Sequence, residues 1–222
     1  MSTQTPSHYE IVSQMPADAV VTFHGVSWEE YEQLLDEVGE SSGFRISYDD
    51  GTLQIMTLSS EHEKYVRFFE SLITAIRLRL HINIISFGSA TIKLRRQKKG
   101  KEPDACFYIQ SAAQIGNKLQ LDFSKDPPPD LAVEVDIHHE SDPTLSIYAG
   151  LRIGEVWRFD GRTVTINVLQ AGNYVEVGQS RALPLLSNQI LTDFLKLLQT
   201  AGELQAIIDF DRWLESQQHT RF

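Results

Sequence analysis

Glu134 stands between Val133 and Val135 in the apolar run 131–135, where an unpaired carboxylate would be costly to bury. Such a group persists by pairing with a cation, by binding a metal ion or by taking up a proton. If the run is a strand, alternation puts Glu134 and Asp136 on one face. Asp104 precedes a second short apolar run, 105–109, and joins them if the two strands pair. Three oxygen-bearing side chains would then converge, a donor set that suits a hard cation such as Mg²⁺ better than zinc. The plainer alternative is a salt bridge to Lys93, Arg95 or Arg158, because structural ion pairs are common.

A basic run lies directly before Asp104. Residues 93–101 hold six positive charges in nine positions: Lys93, Arg95, Arg96, Lys98, Lys99 and Lys101. Such a run can neutralise the phosphates of a nucleic acid, a contact that weakens with salt, or it can be a solvated hairpin tip. The consecutive His138, His139 and Glu140 invite a metal reading, but neighbours on an extended chain point to opposite sides and read better as a surface loop. His62, in the first turn of a long helix, is either a partly exposed residue near the cap or a supporting contact beside the carboxylates. Cys106 reads as a small buried hydrophobe, and Trp157 and Phe159 as core. Gly88, Gly100 and Gly116 match neither a P-loop nor a dinucleotide fingerprint.

These residues must be positioned by a mixed set of elements. Residues 1–26 show no strong period and read as an arm. Ser27 with Glu30 has capping-box spacing and opens a helix that Gly39 stops; Ser60 with Glu63 repeats that spacing at the head of the longest helix. Phe44–Tyr48 and Thr52–Met56 flank Asp49, Asp50 and Gly51, a hairpin signal. Strands are expected at 82–87, 91–94, 105–109, 131–135, 155–159, 163–169 and 174–177, with a short helix at 144–151. Two helices, 189–200 and 203–217, close the chain. The order implies an α/β (α+β) fold with a mixed β-sheet flanked by helices, divided as an arm (1–26), a main domain (27–200) and a C-terminal helix (201–222).

Composition bounds the reading. The chain has 222 residues, 41% hydrophobic and 23% charged, so it can bury a core and is not a disordered polymer. Lys plus Arg number 20 against 30 Asp plus Glu, a net charge of −10, which excludes a wholly basic, histone-like binder. One cysteine makes no internal disulfide and no zinc cluster. The longest apolar stretch is broken by Arg77, Arg79 and His81, and the first ten residues lack an apolar signal core. A cytoplasmic location without a membrane partner is the expectation.

Several segments, taken together, resemble a known family. Pro103-Asp104, followed some thirty residues later by Pro129-Asp130 and Glu134, is similar to the two acidic motifs of the PD-(D/E)XK nuclease superfamily. The segments 48–56, Ser60 to Glu63, Lys101 to Asp104 and 147–160 resemble more narrowly the Uma-two family of restriction-endonuclease-like proteins. The resemblance covers roughly residues 27–195. It implies a restriction-endonuclease-like fold and a metal-dependent endonuclease acting on DNA, with Mg²⁺ (or Mn²⁺) held by Asp104, Glu134 and the main-chain carbonyl of Val135. Glu61 or Glu63 would complete the shell or orient the attacking water, and His62 and Asp136 would stand just outside it. Arg95, Arg96, Lys98, Lys99 and Lys101 would face the nucleic acid.

The family pattern places a lysine two residues after the second acid, or on the next helix four residues before a tyrosine. Here those positions are Asp136 and Thr144. Lys93 is the leading substitute, because Thr91, Lys93 and Arg95 share a strand face; Lys101 is the next. Without a cation in reach, the alternative is a catalytically impaired module on the same fold, for DNA binding or self-assembly. A third reading, by fold analogy, is hydrolysis of a smaller phosphoester. A homodimer formed through an exposed strand or the C-terminal helices is compatible with either nuclease reading.

Overall fold

The computed structural model describes residues 7–39, 43–137 and 144–219. In chain order the elements are α1 (His8–Val12), β1 (Val20–His24), α2 (Trp28–Val38), β2 (Phe44–Asp49), β3 (Thr52–Thr57) and α3 (Ser60–Leu80). Then come β4 (Ile85–Gly88), β5 (Ile92–Leu94), β6 (Lys99–Lys101), β7 (Ala105–Tyr108), α4 (Ala112–Ile115) and β8 (Leu131–Val135). The chain finishes with α5 (Thr144–Leu151), β9 (Glu155–Phe159), β10 (Val164–Gln170), β11 (Asn173–Val177), α6 (Asn188–Ala201) and α7 (Glu203–His219).

Local chemistry accounts for the starts and turns. At α2, the Ser27 hydroxyl accepts from the Glu30 amide and the Glu30 carboxylate accepts from the Ser27 amide, so two otherwise orphaned donors are satisfied together. At α3 the cap is Ser59 and not Ser60; its hydroxyl accepts from the His62 amide at 3.2 Å. The expected capping box is therefore absent there, and Glu63 is released for a contact described below. Asp50 (φ 40°) and Gly51 (φ 93°) both take positive φ, as a tight turn between twisted strands requires. The stretch before Ser27, which has no sequence period, nevertheless supplies α1 and an edge strand, with Val20–His24 paired to Thr52–Met56.

The strands fall into two sheets, ordered β1-β3-β2-β6-β5 and β11-β10-β9-β8-β7-β4. The α+β class stands, with the expected mixed sheet realised in the larger of the two, where β8 and β9 are parallel and joined through α5. On the smaller sheet, Ile46, Tyr48, Leu53 and Ile55 pack against Trp28, Tyr31 and Leu34 of α2. In the larger sheet, Val133, Val135, Trp157 and Phe159 join α3, α6 and α7 in the main core, while Ala132 and Val156 pack with Ile147, Tyr148 and Leu151 of α5. Trp157, Phe159 and Cys106 are buried, as their sequence context suggests.

Strand β6 connects this architecture to the chemistry. Gly100 faces α2, and a Cβ built there would lie 2.1 Å from the Tyr31 hydroxyl oxygen. Its neighbours Lys99 and Lys101 therefore point the other way, toward α5, where Lys99 runs along Gly150 and Lys101 lies 6.0 Å from the Tyr148 ring centre. Tyr31 is fully buried and stacked on Tyr48, so it cannot retreat cheaply. Gly100→Ala is expected to destabilise the protein by about 1–3 kcal/mol through overpacking, measured by denaturant titration. A neutral effect would show that Tyr31 is not the constraint on this strand.

Candidate active site between the sheets

Asp104 and Glu134 are brought together by strand pairing. Ala105 is paired with Val133 and Cys106 with Ala132, which carries Asp104, just before β7, to the end of β8, where it bonds on either side of Glu134: its amide donates to the Val133 carbonyl and its carboxylate accepts from the Val135 amide. Both side chains are buried, 3% and 4% exposed. They lie on the face of the larger sheet that looks toward α5, because Val133 and Val135 point to the main core. The expected convergence of these two acids is therefore what the fold builds.

Asp104 is held on every side. Its Oδ1 accepts from the Arg45 guanidinium at 2.9 Å, and its Oδ2 from the Val135 amide at 2.8 Å, with His62 Nε2 at 3.0 Å. Burial pushes the Asp104 carboxyl upward, but the His62 hydrogen bond, the charges of His62 and Arg45 and the Val135 amide outweigh it, and the net shift is downward. Asp104 is thus a carboxylate. Glu134 is different: burial pushes it up to about 8, opposed by Lys101 and the Tyr148 hydrogen bond and reinforced by the charges of Asp104 and Asp136. Its Oε2 lies 3.2 Å from Lys101 Nζ, and its Oε1 accepts from the Tyr148 hydroxyl. Glu155, another buried acid, is satisfied by neutral donors alone: Trp157 Nε1, the Ser180 hydroxyl and the amides of Arg181 and Ala182.

Several expected positions move. Lys93 does not reach the carboxylates. It is paired with Gly100 across β5 and β6, so it shares the α2 face and binds Glu32 at 3.2 Å. Lys101, one residue beyond Gly100, takes the opposite face and is the ammonium group in the cleft. Glu61 is exposed, and Glu63 takes the inward role, 3.4 Å from Arg45. Asp136 is held by Arg158 through two contacts of 2.8 and 2.9 Å, the plainer ion-pair alternative realised at that position. Val135 contributes its amide to Asp104. Thr144 is buried one helical turn before Tyr148. His138, His139 and Glu140 lie outside the described residues.

The basic run is largely matched by the protein's own acids. Arg95 pairs with Glu29 and Glu32, Lys98 with Asp50, and Lys99 with Asp49. Arg96 is exposed on the 3₁₀ turn that follows β5. Two cleft residues escaped the sequence reading, Arg45 and Tyr148. The signal for Arg45 was a cation alternating with Ile46 and Tyr48; for Tyr148 it was a polar tip on the buried stripe of α5.

Among the described residues, no group of three or more His, Cys, Asp or Glu side chains is arranged to hold a metal ion. The family described as "Uma2: Putative restriction endonuclease" matches residues 28–201. The chain belongs to the Uma2 family. Among solved structures, the Uma2 chain is similar to "a putative nuclease belonging to DUF820 from Anabaena variabilis ATCC 29413", at 13% identity and a TM-score of 0.49, covering 77% of this chain and 99% of that one. No curated protein shows significant similarity to it. None of the described helices is long and apolar enough to cross a membrane. In this Uma2 protein positions 136 and 144 are Asp and Thr, and the ammonium group beside Glu134 is that of Lys101 on β6.

Proposed function

We propose that this Uma2 protein hydrolyses DNA phosphodiester bonds with the help of a divalent cation, Mg²⁺ or Mn²⁺. One observation carries the reading: Lys101 Nζ stands 3.2 Å from Glu134 in the buried site between the sheets, where the pairing of β7 with β8 brings Asp104 close. Family membership supports nuclease chemistry. The donor set fits a hard cation in kind, since both acids offer oxygen. Asp104 and Glu134 would hold the ion. When bound, such an ion polarises a phosphoryl oxygen and increases the acidity of water.

The chain's own groups have separable tasks. Arg45 and His62 fix the Asp104 carboxylate, Tyr148 fixes the Glu134 rotamer, and Glu63 steadies Arg45 from the other side. Lys101 sits where negative charge on the phosphoryl group would be stabilised. The partners of the two acids favour a second reading. All four carboxylate oxygens of Asp104 and Glu134 already have partners, as a binding or assembly module with an idle site would show.

The two readings separate in a plasmid-nicking assay with Mg²⁺ or Mn²⁺. The nuclease reading expects turnover by the parent, a loss of about 10²-fold in Lys101→Met and partial recovery in Lys101→Arg. No turnover by the folded parent in either ion, with salt-sensitive DNA binding retained, would establish the second reading instead.

A further inference from the structure

We propose that a recess at the free β5 edge of the smaller sheet binds one nucleotide unit, a phosphate with its base, independently of the buried carboxylate site. The recess, about 590 Å³, opens between α2, the β5 strand with its 3₁₀ turn, and the loop at 121–124. Its wall combines Lys93, Arg95 and Arg96 with Trp28, Leu121 and Phe123. That composition joins cations for a phosphate to an aromatic and aliphatic surface for a base.

The charge balance favours an anion. Lys93 and Arg95 share Glu32, at 3.2 and 3.7 Å, and Arg95 also meets Glu29. These pairs hold two cationic side chains in place at the wall. Arg96 has no ionic or hydrogen-bonding partner among the described residues, which leaves the wall with one cation in excess. Asp122, also in the wall, is already engaged by Lys125 at 2.6 Å and by Ser124. A free inorganic anion would use the charges and leave the rest of the wall idle.

The apolar part points to the base. Phe123 is half-buried, held by packing beside Leu94 against the core under α5, so it offers a fixed ring. Trp28 is 6% exposed, and its indole N–H is buried without an acceptor. The recess is separate from the carboxylate site: Lys93 faces α2, whereas Lys101 faces α5, and neither Lys101, Asp104 nor Glu134 lines the recess. The inference therefore does not depend on whether the chain cleaves DNA.

Calorimetry in EDTA tests it, because no divalent ion is then present to support cleavage. The probes are dAMP, a 5′-phosphorylated single-stranded oligonucleotide and inorganic phosphate. Saturable binding of dAMP or of the oligonucleotide is expected, weakened about tenfold in Arg96→Ala and in Phe123→Ala and unchanged in Lys101→Met. Binding of dAMP identifies a free nucleotide as sufficient; binding of the oligonucleotide alone identifies a strand as the source. Arg96→Glu, on an exposed turn, repeats the test should Phe123→Ala melt early. The proposal is overturned by no saturation with either nucleotide probe, by phosphate binding as tightly as dAMP, or by loss of binding in Lys101→Met.

Discussion

Arg45→Met is expected to destabilise the fold by roughly 3–5 kcal/mol, because it strands the Asp104 carboxylate in a buried site. The two groups are 7% and 2% exposed at the side chain, so solvent screens their interaction little. The guanidinium also contacts Glu63 and the Phe44 carbonyl, and a methionine of similar length replaces its bulk without its donors. For a chain of this size the loss corresponds to a fall in melting temperature of roughly 6–20 °C. His62 and the Val135 amide still hold Asp104 Oδ2, which argues for the lower part of that range. Adding Asp104→Asn to Arg45→Met removes the stranded charge, so the double variant should be more stable than the sum of the single effects predicts. A melting temperature for Arg45→Met within a degree of the parent would mean that the pair contributes nothing and that Asp104 is held by other means.

The elements that position the cleft were readable because local rules agree with one another. Serine-glutamate spacing at Ser27, the Asp50-Gly51 turn and the alternation around Glu134 each depend on residues within a few positions of one another. The approach of Asp104 to Glu134 was accessible for a related reason: each acid lies at an end of a short apolar strand, and pairing of the two strands brings those ends together. The identity of the lysine was not accessible. Lys93 and Lys101 differ by strand parity, and parity was decided by Gly100 yielding to Tyr31 across the sheet. That is a long-range packing event, and it reverses the order in which the two lysines compete. Likewise, Arg45 and Tyr148 reach the site from elements 59 and 44 residues from Asp104, through contacts that no spacing rule contains. With the cap at Ser59 rather than Ser60, Glu63 is not engaged in a capping box and contacts Arg45 instead, while Glu61 is exposed.

Between pH 5 and pH 8 the parent should lose stability, while Glu134→Gln should lose much less. The sign follows from proton binding. The Glu134 carboxyl, raised to about 8 in the folded chain from an ordinary 4.5, holds its proton where the unfolded chain has released it. Stability from this group is complete below about pH 4.5 and declines as pH rises toward 8. Asp104, shifted downward, acts in the other direction: its contribution is full above its ordinary value and is lost only as pH falls below it. Glutamine reproduces the protonated form of Glu134 and can still accept from the Tyr148 hydroxyl. Parent and variant should therefore melt at similar temperatures near pH 5, and the variant should melt higher at pH 8. Glu102, also raised by burial, is present in both proteins and cancels from the comparison. Divalent cations should invert the order at pH 8, since they bind the ionised acid: Mn²⁺ at one hundred times its dissociation constant would stabilise the parent by about 2.7 kcal/mol and leave Glu134→Gln and Asp104→Asn unmoved. Parallel melting profiles for parent and Glu134→Gln across this range would show that Glu134 is ionised throughout and that Lys101 alone satisfies it. An equal response of all three proteins to Mn²⁺ would place the ion elsewhere, and with it the proposed use of the two acids.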